Sequence, residues 1–127
     1  MSTILVVEDQ AACRDPLARL LRLEGFEVLP AANGVDAVRI LEREPIDLVL
    51  LDLNLPKVSG MSLLKIIRAD ARWMKLPVIV LTGSTDSAQI RRTQTLKANA
   101  VLTKMDFTVD ELLGVIRKCM PDSPLAV

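Results

Sequence analysis

Ionised side chains seldom stand at the ends of strongly apolar segments unless something holds them there. In this chain of 127 residues four such segments end in groups that could act together. Ile4–Val7 runs into Glu8 and Asp9, Ile46–Leu51 into Asp52, Val78–Leu81 into Thr82, and Ala100–Thr103 into Lys104. If one fold brings these ends to a common edge, three carboxylates, a hydroxyl and an ammonium converge. Carboxylates brought together repel, and each resists ionising unless a cation sits among them. A hard divalent ion with oxygen ligands, Mg²⁺ above all, resolves that conflict. Lys104 offsets a further charge and can pair with an oxygen of an incoming phosphoryl group, while Thr82 offers a neutral donor to another. Asp52, flanked by apolar Leu51 and Leu53, is then the natural nucleophile for phosphoryl transfer. Metal and ammonium would neutralise the charge that develops on the transferred oxygens.

Each residue alone has a plainer explanation. Glu8–Asp9 suits a helix N-terminus, where the macrodipole favours acids. Thr82 suits a turn or cap, Lys104 a solvated surface, and Pro56 with Gly60 simply a loop before a helix. Asp52 is harder to set aside, because an unpaired carboxylate in an apolar strand end is costly. Five independent explanations are less economical than one site.

The elements that must do the positioning are legible as an alternation. Thr3–Val7 reads as a strand buried on both faces. Residues 11–24 follow as a helix with Cys13, Leu17, Leu20 and Leu21 on one face and Gly25 as its stop. Pro16 inside it allows a later start, with Asp15 as cap, or a kink. Phe26–Leu29 is a second strand ended by Pro30, and Asn33 caps a helix carrying Val35, Val38, Ile40 and Leu41 that ends before Pro45. After the Ile46–Leu51 strand, Ser59 or Gly60 opens a helix through Met61, Leu64 and Ile67 to about Ala69. Val78–Leu81 follows Pro77 as a fourth strand. A more polar helix starts at Ser84–Thr85 and runs to about Ala98, and Ala100–Thr103 is a short fifth strand. Thr108 and Glu111 form a capping box for the last helix, with Phe107 and Leu112 spaced as a hydrophobic staple. Five strands alternating with five helices imply a doubly wound parallel sheet. Ligands of such sheets bind beyond the carboxyl ends of the strands, which is where the chemistry-bearing residues fall.

Bulk composition narrows the classes. Half the residues are hydrophobic, so the chain is no disordered linker. Sixteen basic and sixteen acidic residues cancel, which gives no electrostatic footprint for direct DNA binding or an anionic membrane surface. The chain contains no histidine, which removes Ser-His-Asp and Cys-His catalysis and histidine-based metal sites. Cys13 and Cys119 read as buried reduced thiols rather than a disulfide. The apolar run before Glu8 is too short for a signal peptide or membrane span. The expectation is a single cytoplasmic domain, with a core over about residues 3–118 and a short flexible tail over 121–127.

The motifs Val6–Asp9, Leu50–Pro56 with Gly60, Leu81–Gly83 and Leu102–Lys104, in that order and at strand ends, resemble those of response-regulator receiver domains of two-component signalling. The resemblance implies a flavodoxin-like strand order 2-1-3-4-5. It implies that Asp52 is the phosphoacceptor, that Asp9 ligates Mg²⁺ directly, that Glu8 acts through a bound water and that the Asn54 carbonyl completes the protein ligands. Thr82 and Lys104 would hold the phosphoryl oxygens. The donor would be a phosphohistidine on a sensor histidine kinase or histidine phosphotransfer protein, and the state would pass to a downstream protein by contact. A homodimer is a further assembly open to such a domain.

Three positions depart from the family pattern. Val101 stands where receivers usually carry Tyr or Phe, so phosphorylation without the usual aromatic switch is expected. Met105 replaces a proline normally preceded by a cis bond; a non-proline cis bond costs about 2.5–4 kcal/mol, so either a trans bond with a rearranged loop or local strain is expected there. Lys97 replaces a helix-ending glycine, so a different end to the fourth helix is expected. The leading function is a stand-alone receiver, or an intermediate in a phosphorelay. A phosphorylation-independent interaction module of the same fold is the alternative. A phosphatase is disfavoured because Asn54 stands where its second carboxylate would be. A nucleotide or flavin binder is disfavoured because no Gly-rich phosphate loop follows any strand.

Overall fold

Continuous runs of Val, Ile and Leu leave a strand no polar face, so each must be covered on both sides. The computed structural model, which describes residues 2–55, 58–83, 87–104 and 107–120, does this with one five-stranded parallel sheet of order β2-β1-β3-β4-β5. The order of elements is β1 (Thr3–Val7), α1 (Ala11–Leu23), β2 (Glu27–Ala31), α2 (Gly34–Arg43), β3 (Leu48–Asp52), α3 (Gly60–Ala69), β4 (Val78–Thr82), α4 (Ser87–Thr95), β5 (Ala100–Thr103) and α5 (Val109–Cys119). Alternate residues of β1, β3 and β4 point to opposite faces and seed two cores. Ile4, Val6, Leu48, Leu50, Ile79 and Leu81 pack with Leu21 of α1 and Leu112 and Ile116 of α5. Leu5, Val7, Val49, Leu51, Val78 and Val80 pack with Leu41 of α2 and Leu63, Leu64 and Ile67 of α3.

Register aligns the ends of the strands. Val7 lies opposite Leu51, Asp52 opposite Leu81 and Thr82 opposite Thr103. The residues that end these strands or follow them therefore share one edge. Caps behave as their sequences predict. Asn33, Ser59 and Thr108 accept hydrogen bonds from the backbone N–H of Asp36, Ser62 and Glu111. Gly25 takes a positive φ after α1, and Phe107 packs against the cluster that holds Leu112.

Several details differ from the sequence expectations. β2 continues through Pro30 to Ala31; it is an edge strand paired only with β1, and an edge admits a residue without an N–H. β3 begins at Leu48, and Asp52 is its last residue. α1, by contrast, starts at Ala11 as expected and runs through Pro16, so the later start at Asp15 that this proline allowed does not occur. Ala12, whose carbonyl loses that proline's N–H, is exposed to water. Cys13, expected to be buried, is exposed in the first turn of α1; both cysteines are free, and half-buried Cys119 is pushed up in pKa by burial.

The fourth helix ends at Thr95, short of Ala98, and its end keeps the glycine-type geometry that its sequence argued against. Ala98 N–H donates to the Thr93 carbonyl and Lys97 N–H to that of Gln94, with Lys97 itself at φ 63°. Arg68 clamps this turn: its guanidinium donates to the carbonyls of Lys97 (2.9 Å) and Leu76 (2.7 Å) and to Oδ1 of Asn99 (3.0 Å). Pro56, the Ser84–Thr85 helix start, Met105 and the tail from Pro121 lie outside the described residues.

Candidate functional site

Each strand of the sheet's centre hands one group to its carboxyl edge. β1 delivers Glu8, β3 ends in Asp52 and β4 in Thr82, and these three polar side chains are only 4%, 2% and 1% exposed. Asp9, next in the chain, is exposed. One carboxylate oxygen each from Glu8, Asp9 and Asp52 lie within 4.8 Å of one another. Lys104 follows β5, held by its N–H to the Thr82 carbonyl at 2.8 Å. Its Nζ reaches across the edge to Glu8 Oε1 at 2.9 Å, Glu8 Oε2 at 3.1 Å and Asp52 Oδ2 at 3.2 Å. The other Asp52 oxygen accepts from the Asn54 N–H at 3.1 Å. The structure thus brings together Glu8, Asp9, Asp52, the Asn54 backbone and Lys104, with Thr82 at the end of the neighbouring strand.

The electrostatics follow from three acids facing one ammonium. Burial and the adjoining Asp52 carboxylate push Glu8 up to about 7, against the pull of Lys104. Burial works to lower the Lys104 pKa, but its bonds to Glu8 and Asp52 and their charge outweigh it and hold it above the ordinary value. The donor set is all oxygen and its negative charge exceeds the ammonium's, so it suits a hard cation. Without one, burial and the neighbouring carboxylate favour the protonated form of Glu8 below about pH 7.

Two residues that build the site were not singled out for that role in the sequence. Arg14 in α1 donates from Nη1 to the carbonyls of Glu8 (2.9 Å) and Asp9 (3.3 Å), fixing the backbone that carries both acids. Nothing in the spacing of a helical arginine announces this. Gly60 has a recognisable signal, a glycine opening a helix soon after the Asp52 loop. A Cβ there would run into the Asp52 carbonyl oxygen and the Leu53 Cα, and its N–H donates to the Leu53 carbonyl at 3.1 Å. The start of α3 can close over the end of β3 only because this residue has no side chain. Val101 is half-buried on β5 and packs into the cluster shared with α3, together with Met61 and Leu96.

A parallel doubly wound sheet with a buried carboxylate–ammonium cluster at its switch-point edge defines a class of signalling domain. The chain belongs to the response regulator receiver domain family, whose model matches residues 4–117. It is 38% identical over 117 residues to the sensory transduction protein RegX3 of Mycolicibacterium smegmatis, covering 92% of this chain and 50% of that protein. The chain therefore spans about half the length of that regulator. It is 33% identical over 118 residues to the sporulation initiation phosphotransferase F of Bacillus subtilis, covering 93% of both. Among solved structures it resembles the receiver domain of a sensor histidine kinase from Pseudomonas aeruginosa, crystallised with magnesium coordinated in its active-site cleft. That likeness has 30% identity and a TM-score of 0.86 over 95% of this chain and 98% of the other. This is a receiver domain of two-component signalling, a module that accepts a phosphoryl group. Among the described residues no helix is long and apolar enough to cross a membrane.

Proposed function

We propose that Asp52 accepts a phosphoryl group from a phosphohistidine on a sensor histidine kinase or histidine phosphotransfer protein, with Mg²⁺ held by Glu8, Asp9, Asp52 and the Asn54 carbonyl. The observation that carries this reading is the Lys104 ammonium bridging Glu8 and Asp52 at a buried edge where three carboxylates meet. An Asp52 oxygen attacks phosphorus, the N–P bond of the donor breaks, and the imidazole leaves. Lys104 exchanges part of its bonding to the two carboxylates for a phosphoryl oxygen, so one cation serves both states. Thr82 closes on a second phosphoryl oxygen. Bound Mg²⁺ supplies charge neutralisation on the acid cluster and on the oxygens of the transferred group.

The burial of Asp52 restricts water at the acyl phosphate, so the domain acts as a slowly self-dephosphorylating acceptor and not as a turnover enzyme. Its likeness along almost the whole length of the sporulation phosphotransferase supports action by contact with protein partners.

Incubation with Mg²⁺ and acetyl phosphate or phosphoramidate should give a single phosphoryl mass increment. Hydroxylamine should remove it and Asp52→Asn should abolish it. An increment that survives Asp52→Asn would sink the assignment of the acceptor, and no increment with any small donor would favour the phosphorylation-independent module.

A further inference from the structure

The chain is neutral, but its charge is unevenly spread. Within Gly60–Ala69 and Ser87–Thr95 there are four cations, Lys65, Arg68, Arg91 and Arg92, and no acid. Arg68 is consumed by the clamp on the Lys97 turn. The other three line a groove of ≈ 390 Å³ between α3 and α4 whose floor is Met61 and Leu96. All three are exposed, while Met61 and Leu96 are half-buried. Among the described residues Lys65 and Arg92 have no ion-pair partner, and Arg91 reaches only the Ser87 carbonyl. A second cleft shares Met61 and Arg92 and runs on to Leu53 and Asn54, so the groove opens toward the loop that follows Asp52.

We propose that this α3–α4 groove docks an acidic amphipathic segment of a partner protein. Charge complementarity selects that occupant. Three unpaired cations on a rim ask for carboxylates, and an apolar floor asks for one or two aliphatic side chains from the same segment. A nucleic acid would put phosphates and sugars against Met61 and Leu96, which offer them nothing. The groove lies between α3 and α4, on the side of α4 turned toward α3.

The probe is a fluorescein-labelled synthetic helix with Leu on one face and Glu on the other. It is titrated by fluorescence anisotropy against the whole unphosphorylated chain, beside a scrambled peptide of equal composition. The amphipathic peptide should bind at least about ten-fold more tightly than the scrambled one, and the double variant K65E/R92E should lose at least about ten-fold. Charge reversal at exposed Arg19 on α1, R19E, should leave binding within about two-fold. Amide chemical shifts of the wild-type chain should move at Met61, Lys65, Arg91 and Leu96 on adding the peptide, a readout that needs no variant. Equal binding of both peptides, or undiminished binding by K65E/R92E, would overturn the proposal. So would preferential binding of duplex DNA, or self-association of the chain that K65E/R92E disrupts; the last would make a second copy the occupant.

Discussion

At Glu8 two forces meet in one carboxyl group: burial beside Asp52 favours the proton, and the Lys104 ammonium favours its loss. The first wins, leaving a group at about 7 against an ordinary 4.5. Without metal, the folded state therefore keeps a proton that the unfolded chain releases. The stability this contributes is full below the unfolded value and is lost as pH rises through about 7. Chemical denaturation in the presence of a chelator should show that decline, amounting to a few kcal/mol at most. Mg²⁺ competes with the same proton, so calorimetric Mg²⁺ affinity should climb with pH up to about 7 and then level off. Glu8→Gln should flatten both profiles; a profile that keeps its slope in this variant would assign the titration to another group. The residue types of this site were legible because four strand ends carried polar groups that apolar runs do not tolerate. What no spacing revealed is the pairing inside it, with Lys104 shared between Glu8 and Asp52 and Arg14 fixing the backbone between the acids.

The helices and strands that hold these residues were readable wherever a local device marks them. Asn33, Ser59, Thr108 and Gly25 each act where they stand in the chain. The sequence misled where tertiary context overrides a local rule: Pro30 is tolerated because β2 is an edge, and Lys97 because Arg68 and the backbone of α4 hold its turn. Two substitutions test this. A left-handed residue with a Cβ costs about 1–2 kcal/mol, partly offset by the chain entropy that glycine restores to the unfolded state. Lys97→Gly should therefore gain about 0.5–1 kcal/mol, read as a higher Tm, whereas β-branched Lys97→Val should lose about 1 kcal/mol. No gain in the first would mean that the long side chain contributes packing that the backbone geometry does not reveal. Gly60→Ala acts in the opposite direction. Its methyl must displace the Asp52 carbonyl and the Leu53 Cα, both backbone, so a loss of about 2 kcal/mol or more is expected. Because the displaced carbonyl belongs to Asp52, acetyl phosphate labelling should slow in the same variant. Unchanged labelling would show that α3 can shift without moving the acid cluster.

Among the described residues burial falls off toward both edges of the sheet, with Glu27 and Pro30 of β2 exposed at one and β5 at the other. Every residue of β1, β3 and β4 is buried, whereas all four of β5 are only half-buried. Among the described residues of α4 only Thr93 is buried, its hydroxyl donating to the Ile90 carbonyl at 2.6 Å, while α3 buries Gly60, Leu63, Leu64 and Ile67. Local opening costs least where the fewest apolar groups are covered. Hydrogen exchange should therefore reach the α4 and β5 amides first and those of β1 and β3 last. In similar receivers an aromatic side chain at the Val101 position turns inward on phosphorylation; a valine has no such ring to turn. On the proposed function, a signal from Asp52 would then travel as order in the weakly held α4–β5 edge, whose α4 side shares a cleft with the loop after Asp52. Phosphoramidate with Mg²⁺ should accordingly slow exchange in α4 and β5 more than in α1 or α2, and Asp52→Asn should remove the change. If α4 is as protected as α3 before any treatment, the edge is not the yielding part of the molecule. If exchange changes only in α1, the state of Asp52 is read on the opposite face of the sheet.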